Sequence, residues 1–155
     1  MNRGSKGLAA LVVLMLGGAA TEVRAAAFNW PVSGPISQGY FGSGGLHHAI
    51  DIAVPTGTPV VTARGGSIGF QGWGGGYGNL CIVNHGSGYQ TYYGHNSRFG
   101  NGFLGIVAFS GSTGNSTGPH VHFEIRRWGS LQYIPGNPGW YVRRGDGIPQ
   151  GYPGL

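Results

Sequence analysis

The chain has 155 residues, with nine Lys or Arg against four Asp or Glu, and its formal net charge is +5 at pH 7. The single cysteine excludes an intramolecular disulfide. The arginines are dispersed and no nucleic-acid-binding motif accompanies them, so we expect no nucleic acid partner.

Residues 1–27 are typical of a secretory signal peptide. Arg3 and Lys6 give a positive start, residues 7–20 form a short apolar run, and residues 25–27 are three alanines at which a signal peptidase can cut. Cleavage after Ala25 and cleavage after Ala27 fit equally well. The apolar run is shorter than the ~20 residues of a membrane-spanning helix. We therefore expect an exported protein, secreted or periplasmic, that is a monomer with no stable membrane insertion after cleavage.

Glycine fills 34 positions, and the runs between glycines are rich in Val, Ile, Thr, Tyr and Phe. This composition favours short strands joined by glycine turns, and no stretch has a helical period. The predicted strands are 58–63, 67–71, 80–84, 89–94, 104–110 and 119–126. Residues 85–88, His-Gly-Ser-Gly, predict a hairpin turn with an exposed His85. The expected fold is all-β, a compact domain of antiparallel sheets.

Two histidine motifs suggest a metal site. In an extended strand, His120 and His122 point to the same face while Val121 points to the other. Upstream, His47 and Asp51 form an H-x-x-x-D motif. Two histidines and one carboxylate with an open fourth position are a known ligand set of catalytic zinc. Spacing alone predicts a site of His47, Asp51 and either His120 or His122.

The segments around these motifs resemble a known family. HHAIDIAVPTGTPV (47–60), GGYGN (75–79), GYQTYYGH (88–95) and GSTGNSTGPHVHFE (111–124) occur in that order. Together they resemble the lysostaphin-type (M23) zinc metallopeptidases of bacterial cell walls, over residues 36 to 125. The resemblance implies a β-sheet domain at 28–134 with a groove on one face, followed by a Gly- and Pro-rich tail at 135–155.

The resemblance also implies roles for five residues. Zn²⁺ would be held by His47, Asp51 and His122, and the catalytic pair would be His120 and His95. The substrate implied is a peptidoglycan peptide, cut within a stem, a cross-link or a glycine bridge. The chain departs from the family pattern at Ala49, where glycine is usual, and in the short segment 96–110, which could displace His95.

Two tyrosines are candidates for substrate binding. Tyr40 and Phe41 fall where the family often has a groove tyrosine, and Tyr40 is preferred because it alone has a hydroxyl. Strand parity places Tyr93 on the same face as His95, so Tyr93 is expected to line the groove, with a core position as the alternative.

Three points stay open in the sequence. His120 is the nearest candidate for the general base, yet Glu124 has the same strand parity and could act as the base or orient a histidine ligand. Cys81 lies in an apolar run and is expected to be a buried small side chain rather than a ligand. A cell-wall-binding or amidase-activating protein with the same fold is the alternative to a hydrolase.

Overall fold

The computed structural model describes residues 28–42 and 44–149, together with the backbone of two short strands at 12–16 and 19–23. Apart from these strands, which pair with each other, the predicted signal peptide lies outside the described residues, as does the end of the tail at 150–155. Within the described residues, no helix has the length and hydropathy that a membrane crossing requires.

Short strands connected by glycine-rich turns make up most of the described chain. They are β1 (Val12–Leu16), β2 (Ala19–Val23), β3 (Gly34–Gln38), β4 (Phe41–Gly42), β5 (Gly45–Leu46), β6 (Ile50–Ala53), β7 (Pro59–Val61), β8 (Ser67–Trp73), β9 (Asn79–Gly86), β10 (Tyr89–Asn96), β11 (Arg98–Phe99), β12 (Ile106–Phe109), β13 (His120–Arg127), β14 (Ser130–Leu131) and β15 (Tyr141–Val142). The only helical elements in the described part are the 3₁₀ turns Gly75–Tyr77 and Phe103–Gly105. The strand pairings are antiparallel, which confirms the predicted fold class.

The main sheet has the strand order β15-β3-β6-β13-β10-β9-β8, and β14 pairs with the end of β13. A smaller sheet, β11-β12-β7, contributes Val60, Val107 and Ala108 to the same core. The centre of the main sheet is β13, paired with β6 on one side and β10 on the other. This central position matters because β13 carries both histidines of the H-x-H motif.

The sequence of β13 alternates as the pleat of a strand requires. Val121, Phe123 and Ile125 are fully buried in the core. His120 and His122 project from the opposite face, which is the face of the groove. Burying each large apolar side chain contributes roughly 1.5–3 kcal/mol, so these residues hold the register of the strand. A slip of one residue would turn both imidazoles into the core.

Each of the six predicted strands is present, with its ends shifted by a few residues. The predicted turn is also confirmed, since β9 and β10 form a hairpin whose loop residues Ser87 and Gly88 both have positive φ. Cys81 is fully buried in the core, as expected, and burial raises the pKa of its thiol to about 11. It lies outside the group of residues that could bind a metal.

The described part of the tail packs against the start of the domain. β15 pairs with β3, joining Tyr141 to Pro35, and Gly147 forms a bridge with Asn29. Val142 and Ile148 are buried in the main core. Residues 135–149 are therefore packed onto the same body as the sheets.

Candidate metal and catalytic site

A polar groove of about 530 Å³ crosses one face of the main sheet. Its floor is formed by strand residues, and one wall is formed by two glycine-rich loops. The lining residues are Gln38, His47, Asp51, Gly74, Gly76, Tyr77, His95, Asn115, Ser116, Thr117, His120, His122 and Glu124. All five residues to which the resemblance gave a metal or catalytic role lie together in this groove.

The pairing of β6 with β13 creates the first half of the site. His122 and Asp51 are direct partners across these strands, and Nδ1 of His122 lies 2.9 Å from Oδ1 of Asp51. His47 precedes β6, and its Nε2 lies 3.3 Å from Oδ2 of the same carboxylate. Ligand atoms of these three residues lie within 4.8 Å of one another.

The hydrogen bonds of the two histidines decide which ring nitrogen is offered to a metal. Nδ1 of His47 lies 3.2 Å from the carbonyl oxygen of Gly39, which can only accept, so Nδ1–H donates and Nε2 keeps a lone pair. Nε2 of His122 lies 2.9 Å from Oε1 of Glu124 and donates to that carboxylate, which leaves Nδ1 for a metal. Nε2 of His47 and Nδ1 of His122 therefore both face the carboxylate of Asp51.

The protonation equilibria of His122 and Asp51 also fit a cation-binding site. Burial lowers the pKa of His122, but its hydrogen bonds to Asp51 and Glu124 outweigh burial and raise that pKa to about 9. Burial likewise raises the pKa of Asp51, and hydrogen bonds from His122 and His47 outweigh it, so the pKa is lowered. The proton on Nδ1 of His122 thus occupies the position at which a metal would bind. The donor set fits a divalent metal.

His95 and His120 form the second half of the site, with ring centroids 4.7 Å apart. Nδ1 of His95 lies 2.7 Å from the carbonyl oxygen of Thr113, and Nδ1 of His120 lies 2.8 Å from that of Gly118. Both Nδ1 atoms must donate, so each neutral ring keeps its Nε2 lone pair. Nε2 of His120 lies 3.7 Å from Oδ2 of Asp51, beside the metal-binding atoms. Burial lowers the pKa of His95, which favours its neutral form.

His95 reaches the groove through an irregularity of its strand. The pairing of β10 with β9 shifts register between Tyr93 and Asn96, and His95 has a φ of +61°. The regular alternation of side chains is therefore broken just before His95. His95 faces the groove, whereas Thr91 and Tyr93 remain on the core side.

The prediction that Tyr93 lines the groove is therefore wrong. Tyr93 is fully buried, and its hydroxyl accepts a hydrogen bond of 2.8 Å from the backbone N–H of Ala63. It also bonds to Oγ1 of Thr91 at 2.7 Å. Strand parity holds from Thr91 to Tyr93 and fails at His95 because of the register shift. Tyr93 is a core residue.

Tyr40 lies beside the site but is not among the residues that line the groove. Its ring is half-buried against Phe41, His48 and Tyr133. Burial, and then the negative charge of Glu124, raise the pKa of its phenol. Phe41 is 67% exposed, so Tyr40 is the better placed of the two candidates. Its role in substrate binding stays a prediction.

The sequence analysis missed Tyr77, although the GGYGN segment (75–79) was one of those that carried the family resemblance. Tyr77 lines the groove and its hydroxyl lies 2.6 Å from Oε1 of Glu124. Gln38 was missed as well, since β3 was not predicted. The GGYGN segment contains the only signal that pointed to Tyr77, but its spacing says nothing about where the ring lies.

Two loops are joined to make the wall of the groove. The backbone N–H of Asn115 donates to the carbonyl of Gly76 at 2.9 Å, and that of Asn79 donates to Oγ1 of Thr113 at 3.0 Å. Gly78 has a φ of +64°, and a Cβ there would lie 2.4 Å from the carbonyl carbon of Thr113. Only glycine fits this contact, so the two loops can approach each other closely here.

The fold thus brings a His₂Asp donor set and two further histidines together in one groove of an antiparallel β-sheet. The chain belongs to peptidase family M23, whose family model matches residues 45–138. This confirms the family resemblance seen in the sequence.

The names of known relatives indicate two different roles, peptidase and activator of a hydrolase. DD-carboxypeptidase/endopeptidase Mpg of Neisseria meningitidis is 49% identical over 86 residues, which is 52% of this chain and 20% of that protein. Murein hydrolase activator NlpD of Salmonella typhimurium is 32% identical over 130 residues, 74% of this chain and 33% of that protein. A zinc-containing peptidase from Vibrio cholerae has a similar structure, with a TM-score of 0.60 and 27% identity over 73% of this chain and 40% of that one. The chain spans a third or less of these two curated relatives.

Proposed function

We propose that this protein is a zinc-dependent endopeptidase that hydrolyses peptide bonds in bacterial peptidoglycan. The observation that carries the proposal is the groove in which His47, Asp51 and His122 converge while His95 and His120 each present a free Nε2 beside them. A site that only bound cell wall would not need two proton acceptors next to a complete ligand set.

Zinc would be held by Nε2 of His47, the carboxylate of Asp51 and Nδ1 of His122. A zinc ion with an open position would supply Lewis-acid polarisation of the scissile carbonyl and a water of lowered pKa. The two imidazoles are already oriented by Gly39 and Glu124, so little freedom is lost when the metal binds.

The histidine pair would carry the protons of the reaction. His120 accepts a proton from the attacking water at Nε2, because its Nδ1–H is fixed on the carbonyl of Gly118. The protonated ring can then donate to the leaving amine nitrogen. His95 has the same tautomer, so in its neutral form Nε2 accepts rather than donates. This favours proton transfer at His95 over hydrogen bonding to the oxyanion, which would require a protonated ring.

The groove suits a small, polar peptide. Its lining includes no lysine or arginine among the described residues, while Asn115, Ser116 and Thr117 offer neutral hydrogen-bonding groups along one wall. Peptidoglycan as the substrate follows from the family and from the names of the relatives rather than from a contact in the groove. Export to the envelope follows from the predicted signal peptide.

The alternative function is activation of another cell-wall hydrolase. It is favoured by the 32% identity to murein hydrolase activator NlpD. The complete donor set and the histidine pair support the hydrolase instead. An activator would enhance a partner amidase with or without the metal ligands, whereas a hydrolase requires them.

The test compares the mature chain with His122→Ala and with His48→Asn as a matched control. His48 is a neighbouring histidine outside the donor set, with a φ of +60° that asparagine tolerates. We expect about one zinc per chain and loss of turbidity from a peptidoglycan suspension in the wild type and the control, with both lost in His122→Ala. Mass spectrometry of the released fragments identifies the bond. Bound zinc without clearing, combined with stimulation of an amidase, would replace the hydrolase by the activator.

A further inference from the structure

Three side chains form a hydrogen-bonded group behind His122, on the groove face of the main sheet. Oε1 of Glu124 accepts from Nε2–H of His122 at 2.9 Å and from the hydroxyl of Tyr77 at 2.6 Å. Oε2 of Glu124 accepts from Nε and NH2 of Arg126, both at 2.8 Å. The NH2 group of Arg126 also donates to the Tyr77 oxygen at 3.0 Å. Each pair within the group of Tyr77, Glu124 and Arg126 is therefore in direct contact.

We propose that Tyr77 and Arg126 are positioning residues that act through Glu124 to fix the ring of His122 with Nδ1 directed at the metal. This inference rests on the proposed zinc site but not on the peptidase reaction. It assigns Tyr77, which lies 47 residues from Glu124 in the chain, a function in metal binding.

The group holds Glu124 by contacts from three directions. A carboxylate that received only the His122 proton could rotate, and the imidazole could rotate with it. The phenol fixes one oxygen and the guanidinium fixes the other, and Glu124 is only 4% exposed. Orientation of a histidine ligand by an outer carboxylate is typical of zinc sites, and such carboxylates are themselves hydrogen-bonded.

The charges of the group support the same role. Arg126 neutralises Glu124, so this second carboxylate does not compete with Asp51 for the cation. The ring of Tyr92 lies beneath the guanidinium at 4.5 Å and keeps it in place. Both carboxylate oxygens of Glu124 are engaged by these donors. In the proposed role, Glu124 orients His122 instead of serving as the general base.

The loop that carries Tyr77 is itself fixed. The 3₁₀ turn Gly75–Tyr77 is joined to the 111–118 loop through the Asn115–Gly76 hydrogen bond. The ring of Tyr77 also lies edge-on to His122, with centroids 5.5 Å apart. The position of the groove wall is thereby coupled to the orientation of a metal ligand.

The test measures zinc affinity by competition with a chromophoric chelator for the wild type, Tyr77→Phe, Glu124→Gln and Tyr92→Phe. Tyr92→Phe is the matched control, because it removes a hydroxyl on the same sheet face and keeps the ring beneath Arg126. We expect roughly tenfold weaker zinc binding for Tyr77→Phe and up to about a hundredfold for Glu124→Gln, as is typical for outer-shell changes. Tyr92→Phe should bind zinc as the wild type does.

Nitrogen-15 NMR reports which nitrogen of the His122 ring carries the proton, and global destabilisation of the fold would not change this result. In the zinc-loaded wild type, Nε2 should carry the proton and Nδ1 should bind the metal, and in Glu124→Gln a second ring orientation should appear. Equal zinc affinity for Tyr77→Phe and wild type at a temperature where both are folded would overturn the inference, as would an equal loss in Tyr92→Phe. A wild type that binds zinc but does not cleave peptidoglycan would refute only the peptidase.

Discussion

His122 and Asp51 lie directly opposite each other on neighbouring antiparallel strands, and their side chains meet with Nδ1 2.9 Å from Oδ1. The strand pairing fixes this contact, so the fold itself brings the two side chains together. His47, four residues before Asp51, completes the set from outside the strand.

Asp51→Asn keeps the shape of this contact but removes the negative charge. We expect zinc affinity to fall by more than about a hundredfold, beyond the range of outer-shell changes, because the ligand charge that offsets desolvation of the cation is lost. Isothermal titration or chelator competition measures the change. Asp146→Asn, an exposed aspartate outside the donor set, is the control and should leave zinc affinity unchanged.

His120→Ala separates metal binding from proton transfer. The variant should retain one zinc and lose turnover by about 10²–10⁴-fold, the range typical of a missing general acid or base. Zinc content and the rate of fragment release, measured on the same preparation, check this. Turnover within a few-fold of the wild type would transfer the base function to His95.

Gly78→Ala should disrupt the wall of the groove. The new Cβ would meet the Thr113 backbone at 2.4 Å at a φ of +64°, so we expect a loss of stability of roughly 1–3 kcal/mol and reduced turnover. Gly75→Ala is the matched control in the same loop, since it also has a positive φ but open space around its Cβ. Equal urea midpoints for the two variants would mean that the backbone conformation, and not the contact between loops, sets the cost.

The stability of the protein should depend on pH through His85. Nδ1–H of His85 donates to the Gly65 carbonyl and Nε2 accepts from Thr91, whose oxygen accepts in turn from Tyr93. Burial lowers the pKa of His85 below its ordinary 6.5, although the hydrogen bond to Gly65 opposes this. On acidification, His85 in the unfolded chain therefore becomes protonated at a higher pH than His85 in the folded chain. The His85 contribution is complete above pH 6.5 and is lost as pH falls through the folded pKa.

Urea unfolding at about pH 7.5 and pH 5.5, with His85→Gln as the reference, measures this effect. The wild type should lose stability relative to the variant on acidification. A constant difference between the two proteins would show that His85 does not titrate differently on folding. The sequence analysis expected His85 to be an exposed turn residue, and the partly buried ring reflects packing against Phe28.

The sequence predicted the fold where alternation was regular. In β13 the apolar residues are consecutive odd positions, so the common face of His120 and His122 followed from the period of a strand. The sequence analysis did not predict β6. Ile50, Asp51 and Ile52 are all buried, and a strand that is covered on both faces does not alternate apolar and polar side chains. The buried Asp51 was recognised from its motif and not from any strand pattern.

Prediction of the site failed where tertiary structure overrode local spacing. Tyr93 and His95 share strand parity, but the register shift between β10 and β9 separates them. Tyr77 comes from a loop whose glycines allow many conformations, so its approach to Glu124 depends on contacts with the 111–118 loop. Such contacts between distant segments are not encoded in local periodicity.

If His95 has its proposed role in proton transfer, its left-handed backbone sets stability against activity at one position. A non-glycine residue at a φ of +61° carries a conformational cost of roughly 1–2 kcal/mol, which the rest of the sheet must offset. His95→Gly or His95→Asn would relieve that cost while removing the imidazole. Selection for thermal tolerance alone would therefore tend to erase this histidine, whereas selection for turnover would keep it.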